Sequence, residues 1–492
     1  MQKQLISKNI QENECNIKQA FLACDDLKMR KISIGKVEAL VCYIEVNAGN
    51  ALINVLGRML AHLEDGSKEQ VAECIRGNAF ALSDAEPYIF MEDAICGILV
   101  GDAILFVDGL DVAIKMPDQG YPQMGIGKSE EEKVIRGSDE SFTESEKANT
   151  ALIRKRIRNT QLKVKELQVG VRSFTNVALV YVEGLAEVTL VDEIQRRLTL
   201  YEIDGVMDSG VLEQLAEESW LSPFPQFQST RRPDRAAMEV LNGKVVVLVD
   251  NSPVALLVPT DVNSFLKTTD DYYNRFFMAT FARIIRYVAA FFSLTLPGLY
   301  LAVTNFHTQI LPTPLLLSFW EARIGVPFPA AFEVLLMELS FELIREAGVR
   351  LPGTMGNTIG IVGGLIIGQA AVEANLVSPI VVIVVAFTAL CSFAIPNEEF
   401  AFSFRILKFL LIALASWLGF FGFLIGLFFI LVHMAGLKSF GLPYLSPYVG
   451  PQENGYEDEK DSVVRFPLRM LWKRPVYANP TQRRKLRKRN GK

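Results

Sequence analysis

The chain has 492 residues, 50% of them hydrophobic and 21% charged, with a net charge of −5 at pH 7. That length allows more than one domain. The charge is packed into the first half and the last few dozen residues, so the net value describes no single surface. Three histidines, and six cysteines with no CxxC spacing, leave His-based triads and Cys/His metal sites poorly supplied.

The N-terminal ten residues, Met1 to Ile10, lack the apolar core of a signal peptide, so the first half is expected on the cytoplasmic side. Cys15, Cys24, Cys42, Cys74 and Cys96 are then expected as reduced, mostly buried thiols, and Cys391 falls in the apolar half. Residues 1–30 read as a polar, helix-prone lead-in and 31–118 as an α/β subdomain. Within it, Val37–Val46 is rich in β-branched and aromatic residues and predicts a strand. Helical patterns follow over Ala48–Leu63 and Lys68–Asn78. The run Gly97–Pro117 predicts a hairpin about Asp108-Gly109, because both turn positions tolerate positive φ.

The same order recurs in 171–262. Ala178–Glu183 echoes Ala39–Glu45, helical patterns cover Val188–Leu200 and Ser209–Glu218, and Asn242–Asn251 echoes Val100–Gly109. Gly101/Gly243, Asp108/Asp250 and Pro117/Pro259 share one offset. A second, related α/β subdomain is therefore expected, with the cleft between the pair suited to a small ligand. Between them, 119–170 is a charged connector ending in a basic helix with Arg154, Lys155, Arg156 and Arg158. Arg154, Arg156 and Arg158 are either a docking surface for a neighbouring subunit or anionic lipid, or a solvated helix face. Nucleic acid is disfavoured, since no aromatic residues interleave with the charge. Trp220–Phe227 is a proline-fixed loop.

Residues 263–437 read as a membrane domain. The run Phe409–Val432 holds no charged residue, and roughly 20 apolar residues suffice to cross a bilayer core. Spans are expected near 287–303, 358–377, 379–395 and 409–432. Arg275, Arg283 and Arg286 precede the first and mark the cytoplasmic side. Four crossings would return the basic tail, 438–492, to that side. The intervening 311–349 is expected to be re-entrant, interfacial or spanning. It carries Glu338, Glu342 and Glu346 at i,i+4, one acidic stripe on an otherwise apolar helix. The stripe lines an aqueous cation path, lies wet in the interface, or is paired by Arg345 and Arg350. Gln369 and Glu373, one turn apart in the next span, need water, a partner or an ion. Gly360, Gly364, Gly368, Gly422 and Gly426 recur at the spacing that lets helices, or copies of the chain, pack closely in lipid.

The fold class expected is thus multidomain: two related α/β cytoplasmic subdomains followed by a polytopic α-helical transmembrane region. The chain carries no Walker loop, no GxGxxG after a strand, no HExxH and no GxSxG. No enzyme, cofactor or metal is expected. A secondary transporter would instead call for inverted membrane repeats, and the repeat here lies in the soluble half.

Ser222–Gln226, Arg232-Pro-Asp234, Val326–Pro329, Leu335–Leu339, Leu343–Gly348, Thr358–Gly364 and Ile367–Leu376 together resemble the GerA family of endospore-forming bacteria, over about residues 30–450. The likeness is to A subunits of nutrient germinant receptors, and the family includes SpoVAF-like relatives, an accessory channel or scaffold reading. The resemblance implies a multi-pass protein of the inner spore membrane with both termini on the spore-core side. It implies partnership with a permease-like B subunit and a lipoprotein C subunit, and homo-oligomers that form a nutrient-gated cation channel. The resemblance assigns no role to the basic tail.

Overall fold

The computed structural model describes residues 4–34, 36–45, 87–116, 132, 134–350, 366–449 and 458–486. The helical patterns expected over 48–63 and 68–78, together with Cys74, Pro117, Gly360 and Gly364, lie outside the described residues.

Two antiparallel sheets repeat one topology. The first orders its strands β1 (Leu27–Ile34), β2 (Val37–Ile44), β4 (Ala103–Val107), β5 (Ala113–Met116), β3 (Pro87–Tyr88). The second orders β6 (Leu162–Val169), β7 (Thr175–Val182), β9 (Val245–Val249), β10 (Ala255–Val258), β8 (Gln228–Thr230). Helices α1 (Ile10–Ala20) and α2 (Met91–Val100) pack on the first sheet through Ile17, Ile98, Leu40 and Phe106. Helices α3 (Glu146–Arg156) and α6 (Pro233–Asn242) do the same on the second, through Leu152, Val240, Val180 and Leu248. Its other face is covered by α4 (Val188–Leu198) and α5 (Ser209–Ala216).

The shared offset has a backbone cause. Gly101 and Gly243 each close a helix in the left-handed region, at φ 105° and 109°, where a Cβ is unfavourable. Gly109 and Asn251 take positive φ in the two hairpin turns, a conformation Asn also tolerates.

β1, β3, β6 and β8 escaped the sequence reading. β1 straddles the expected end of the lead-in at residue 30, and β6 lies inside the expected connector. β1 and β6 are edge strands of their sheets, and their lysines, with Arg30 in β1 and Glu166 in β6, make them read as polar. Charge on an edge strand blunts pairing with other chains. The sheets are tied together here: Asp25 N donates to Val164 O at 3.0 Å and Lys163 Nζ to Leu22 O at 2.6 Å.

Beyond α7 (Val262–Leu266) and α8 (Asp270–Tyr273) the chain is helical: α9 (Phe276–Phe306), α10 (Thr313–Glu321), α11 (Ala330–Arg350), a helical stretch 366–373, α12 (Pro379–Phe393) and α13 (Glu398–Gly436). Among the described residues, α9 and α13 are long and apolar enough to cross a membrane. Their outward faces expose Phe281, Phe291, Trp417 and Phe421.

α13 is not one rod, which corrects the expectation of a single span over 409–432. Gly419 has φ 63° and ψ −141°, outside helical geometry. Ser403 Oγ donates to Pro223 O, and His433 Nε2 lies 2.8 Å from Ser222 Oγ. A straight helix would hold residues 403 and 433 about 45 Å apart, yet both meet neighbouring residues of one loop. The chain therefore reverses at Gly419 into a helical hairpin. Gly298 of α9 touches both arms: a Cβ there would lie 3.2 Å from Phe423 and 3.3 Å from Leu411 O.

The short hairpin β11 (Lys438–Ser439) and β12 (Leu442–Pro443) follows. The tail then returns to the second sheet unit, where Asn479 N donates to Leu185 O at 2.8 Å.

Candidate functional site

The acidic stripe of α11 faces the first arm of α13, and the two run antiparallel. Glu338 pairs with Lys408, whose Nζ lies 2.6 Å from Oε2 and 3.0 Å from Glu342 Oε1. Arg405, one turn earlier, reaches Glu342 Oε2 at 3.5 Å and Glu398 at 3.9 Å. Glu338 is 2% exposed, and its Oε1 is buried without a hydrogen-bond partner. A buried carboxylate of this kind is held by its cation, since loss of either partner leaves an uncompensated charge at about 3–5 kcal/mol. Glu346 is exposed and pairs with Arg350 at 2.6 Å.

The three acids thus have different surroundings. Glu338 and Glu342 form an ionic seam between helices, and Glu346 sits outside with its own cation. The partners Lys408 and Arg405 were missed in the sequence, where they appear only as charges ahead of the apolar run. Glu333 was missed too: fully buried, it accepts from Ser378 N at 2.8 Å and Arg323 at 3.3 Å.

Gln369 and Glu373 lie elsewhere. Both are exposed, and Gln369 Nε2 donates to Glu373 Oε1 at 2.9 Å. Around them the large side chains of Ile366, Ile367 and Leu376 are exposed as well. The neighbouring Gly368 is buried, and a Cβ there would stand 3.3 Å from Val382 of α12. It lets the two helical segments close on each other. Gly422 and Gly426 act within the hairpin: a Cβ at Gly422 would run into Leu414 O, and one at Gly426 would lie 2.7 Å from Leu411.

A cleft of ≈ 1010 Å³ opens where α11 and α13 meet α5 and the loop Ser222–Pro225. Carboxylates enter it from both sides, Glu213 and Glu217 from the sheet unit, Glu398 and Glu399 from α13. Burial, followed by the nearby Glu399 and Glu217, pushes the Glu213 carboxyl up. Burial also raises Glu217. Phe224 lines the wall beside α13, its ring 6.0 Å from Phe404 and 6.1 Å from Phe400.

The basic helix is corrected. Arg154 is 1% exposed, with its Nη2 2.8 Å from Asp26 Oδ1, so it is not available to a neighbouring subunit. Arg156 bonds Glu140, Ser138 and the Leu152 carbonyl. Arg158 alone of the three is exposed. The helix ties the two sheet units together instead. Among the described residues, no cluster of three or more His, Cys, Asp or Glu is arranged to hold a metal ion.

The family model described as Bacillus/Clostridium GerA spore germination protein matches residues 15–477. The chain is 38% identical to the "Uncharacterized membrane protein YfkQ" of Bacillus subtilis, over 96% of this chain and 91% of that protein. It is 36% identical to "Spore germination protein KA" of the same organism, over 96% of this chain and 87% of that one. Among solved structures, it is similar to the N-terminal domain of the A subunit of the Bacillus megaterium spore germinant receptor GerK3. That match has 25% identity and a TM-score of 0.40, covering 52% of this chain and 97% of the other.

Proposed function

Because the chain belongs to the GerA family of spore germination proteins, we propose that it is the membrane-held A-type subunit of a nutrient germinant receptor. Several copies assemble around a shared aqueous path for cations, which opens when nutrient binds a partner. The partners proposed are a permease-like B subunit and a lipoprotein C subunit, and the site is the inner spore membrane with both chain ends on the spore-core side.

The length and apolarity of α9, and the exposed aromatic side chains of α9 and of both arms of α13, support the membrane reading. The observation that carries the path is the Gln369–Glu373 pair. A carboxylate on a lipid-facing surface is costly, and such groups face a cavity or a neighbour. Among exposed isoleucines, an oligomer that turns Gln369 and Glu373 inward gives each a wet interior. The Glu338–Lys408–Glu342 seam then serves as the wall that holds α11 on the hairpin.

The test is potassium release from spores carrying Glu373→Gln or Gln369→Leu after nutrient addition. Slower release or altered cation selectivity, at normal protein level, is expected. Unchanged rate and selectivity in both variants would remove this pair from the path.

A further inference from the structure

The cleft at the foot of α11 and α13 has a chemical gradient that the receptor reading does not use. Along α13, the carboxylates Glu398 and Glu399 come first, then the guanidinium of Arg405, then Ile406 and Phe409. Along the antiparallel α11 come Glu346, Arg345, then Leu343 and Leu339, with Glu342 between the two leucines held by Lys408 and Arg405. All of these but Lys408 line the cleft, and Leu339, Leu343 and Ile406 are exposed.

The two arginines have donor capacity to spare. Arg345 forms no ion pair among the described residues. It lies 3.4 Å from Ser392 Oγ and its guanidinium sits 4.3 Å from the Phe393 ring. Arg405 is 8% exposed and its ion pairs are long, 3.5 Å from Nη1 to Glu342 and 3.9 Å from Nη2 to Glu398, with the Phe402 ring 4.9 Å from its guanidinium. Guanidinium forks match phosphate oxygens. The outermost carboxylates match an ammonium, and the innermost aliphatic wall matches an acyl chain. Ammonium, phosphate, hydrocarbon is the order of groups along one molecule, an aminophospholipid.

We propose that this cleft binds a phosphatidylethanolamine-type lipid. Its phosphate lies on Arg345 and Arg405, its ammonium among Glu398, Glu399 and Glu346, and its chains run down Leu339, Leu343 and Ile406. The site rests on the membrane placement proposed above and not on conduction. The acidic rim sets its selectivity. Phosphatidylglycerol carries the phosphate without an ammonium and meets repulsion. Phosphatidylcholine has three methyl groups in place of N–H donors, so the carboxylates receive no hydrogen bond.

The test uses the full chain purified in mild detergent. Mass spectrometry of the retained lipid should show phosphatidylethanolamine enriched several-fold over its share of the membrane extract. Added phosphatidylethanolamine should raise the thermal unfolding midpoint, and phosphatidylglycerol and phosphatidylcholine should not. Arg345→Gln should abolish the enrichment. Glu398→Gln combined with Glu399→Gln should keep lipid binding but lose the discrimination against phosphatidylglycerol. Equal retention of the three lipids, meaning an unspecific lipid belt only, would overturn the site and leave the membrane placement standing. So would enrichment untouched by both variants, or an equal midpoint shift from water-soluble phosphoethanolamine. A chain that stays monodisperse without detergent and carries no lipid would overturn the membrane placement together with the site.

Discussion

Glu146 opens α3 at the seam between the sheet units and is 1% exposed. Its backbone N–H donates to Asp250 Oδ1 at 3.2 Å, and its Oε1 accepts from Thr150 Oγ1 at 3.0 Å. Burial pushes its carboxyl up to about 7, against the Thr150 hydroxyl and with help from Glu166 and Asp250. The sign follows from linkage. The unfolded chain ionises this group near 4.5 while the folded chain keeps the proton, so its contribution is fully present below about 4.5 and is lost as pH rises through about 7. Denaturant titrations of the full chain in detergent should show the unfolding midpoint declining over that window, and Glu146→Gln should flatten the decline. Individual residues were the least legible part of the sequence. Arg154 reads as one of a basic run because Asp26, its partner, lies 128 positions away. The carboxylates of α11 were visible by spacing, but which cation each meets depends on the crossing of α11 and α13, and that no local pattern encodes.

At the scale of elements, periodicity and turn chemistry carried further. Asp108-Gly109 predicts the hairpin found between β4 and β5, and the second copy turns at Asn251, also at positive φ. The helix expected to carry the Glu338/Glu342/Glu346 stripe runs over Ala330–Arg350. The reversal in α13 was hidden, because Leu418-Gly-Phe-Phe-Gly422 is as apolar as its flanks and length alone suggests one crossing. The reversal depends on Gly419. Its φ of 63° disfavours any side chain, and a Cβ would lie 2.7 Å from the Phe306 ring. Gly419→Ala should cost about 1–3 kcal/mol from backbone strain, with any clash adding to it. Gly436→Ala, at the end of the same helix with open space around its Cβ position, should stay within about 0.5 kcal/mol. Thermal midpoints of the two variants in detergent decide it, and equal midpoints would contradict a tight turn at residue 419.

For the whole molecule, the question is what joins the sheet units to the helices. The tail does much of this. Asp461 accepts from Tyr272 Oη at 2.6 Å and from Arg283 Nη1 at 2.8 Å, while Arg283 also bonds Asp271 at 3.1 Å. Arg465 Nη1 donates to Asn274 O at 3.0 Å. Burial alone would raise Asp461, but Lys267, Arg283 and the Tyr272 hydroxyl hold its carboxyl down to about 2. Its contribution is therefore present above the ordinary 3.8 and is lost as pH falls through about 2. Asp461→Ala removes one of two carboxylates from a fully buried guanidinium. Hydrogen exchange should quicken across 262–286 and 458–486 and stay unchanged in β4 and β5. Uniform protection in the variant would show that the tail is not a fastener. The two-fold topology was readable from the offset of its glycines and aspartates. The tail's docking was not, because its arginines meet main-chain carbonyls and its Asp461 meets side chains far off in sequence. The reversal at Gly419 gives this arrangement a mechanical meaning. A chain that goes in and comes back through one face hangs from its support like a swing on two ropes, at Ser403 and at His433. Both ropes are tied to adjacent residues, Pro223 and Ser222, so a pull on that one loop reaches both arms at once.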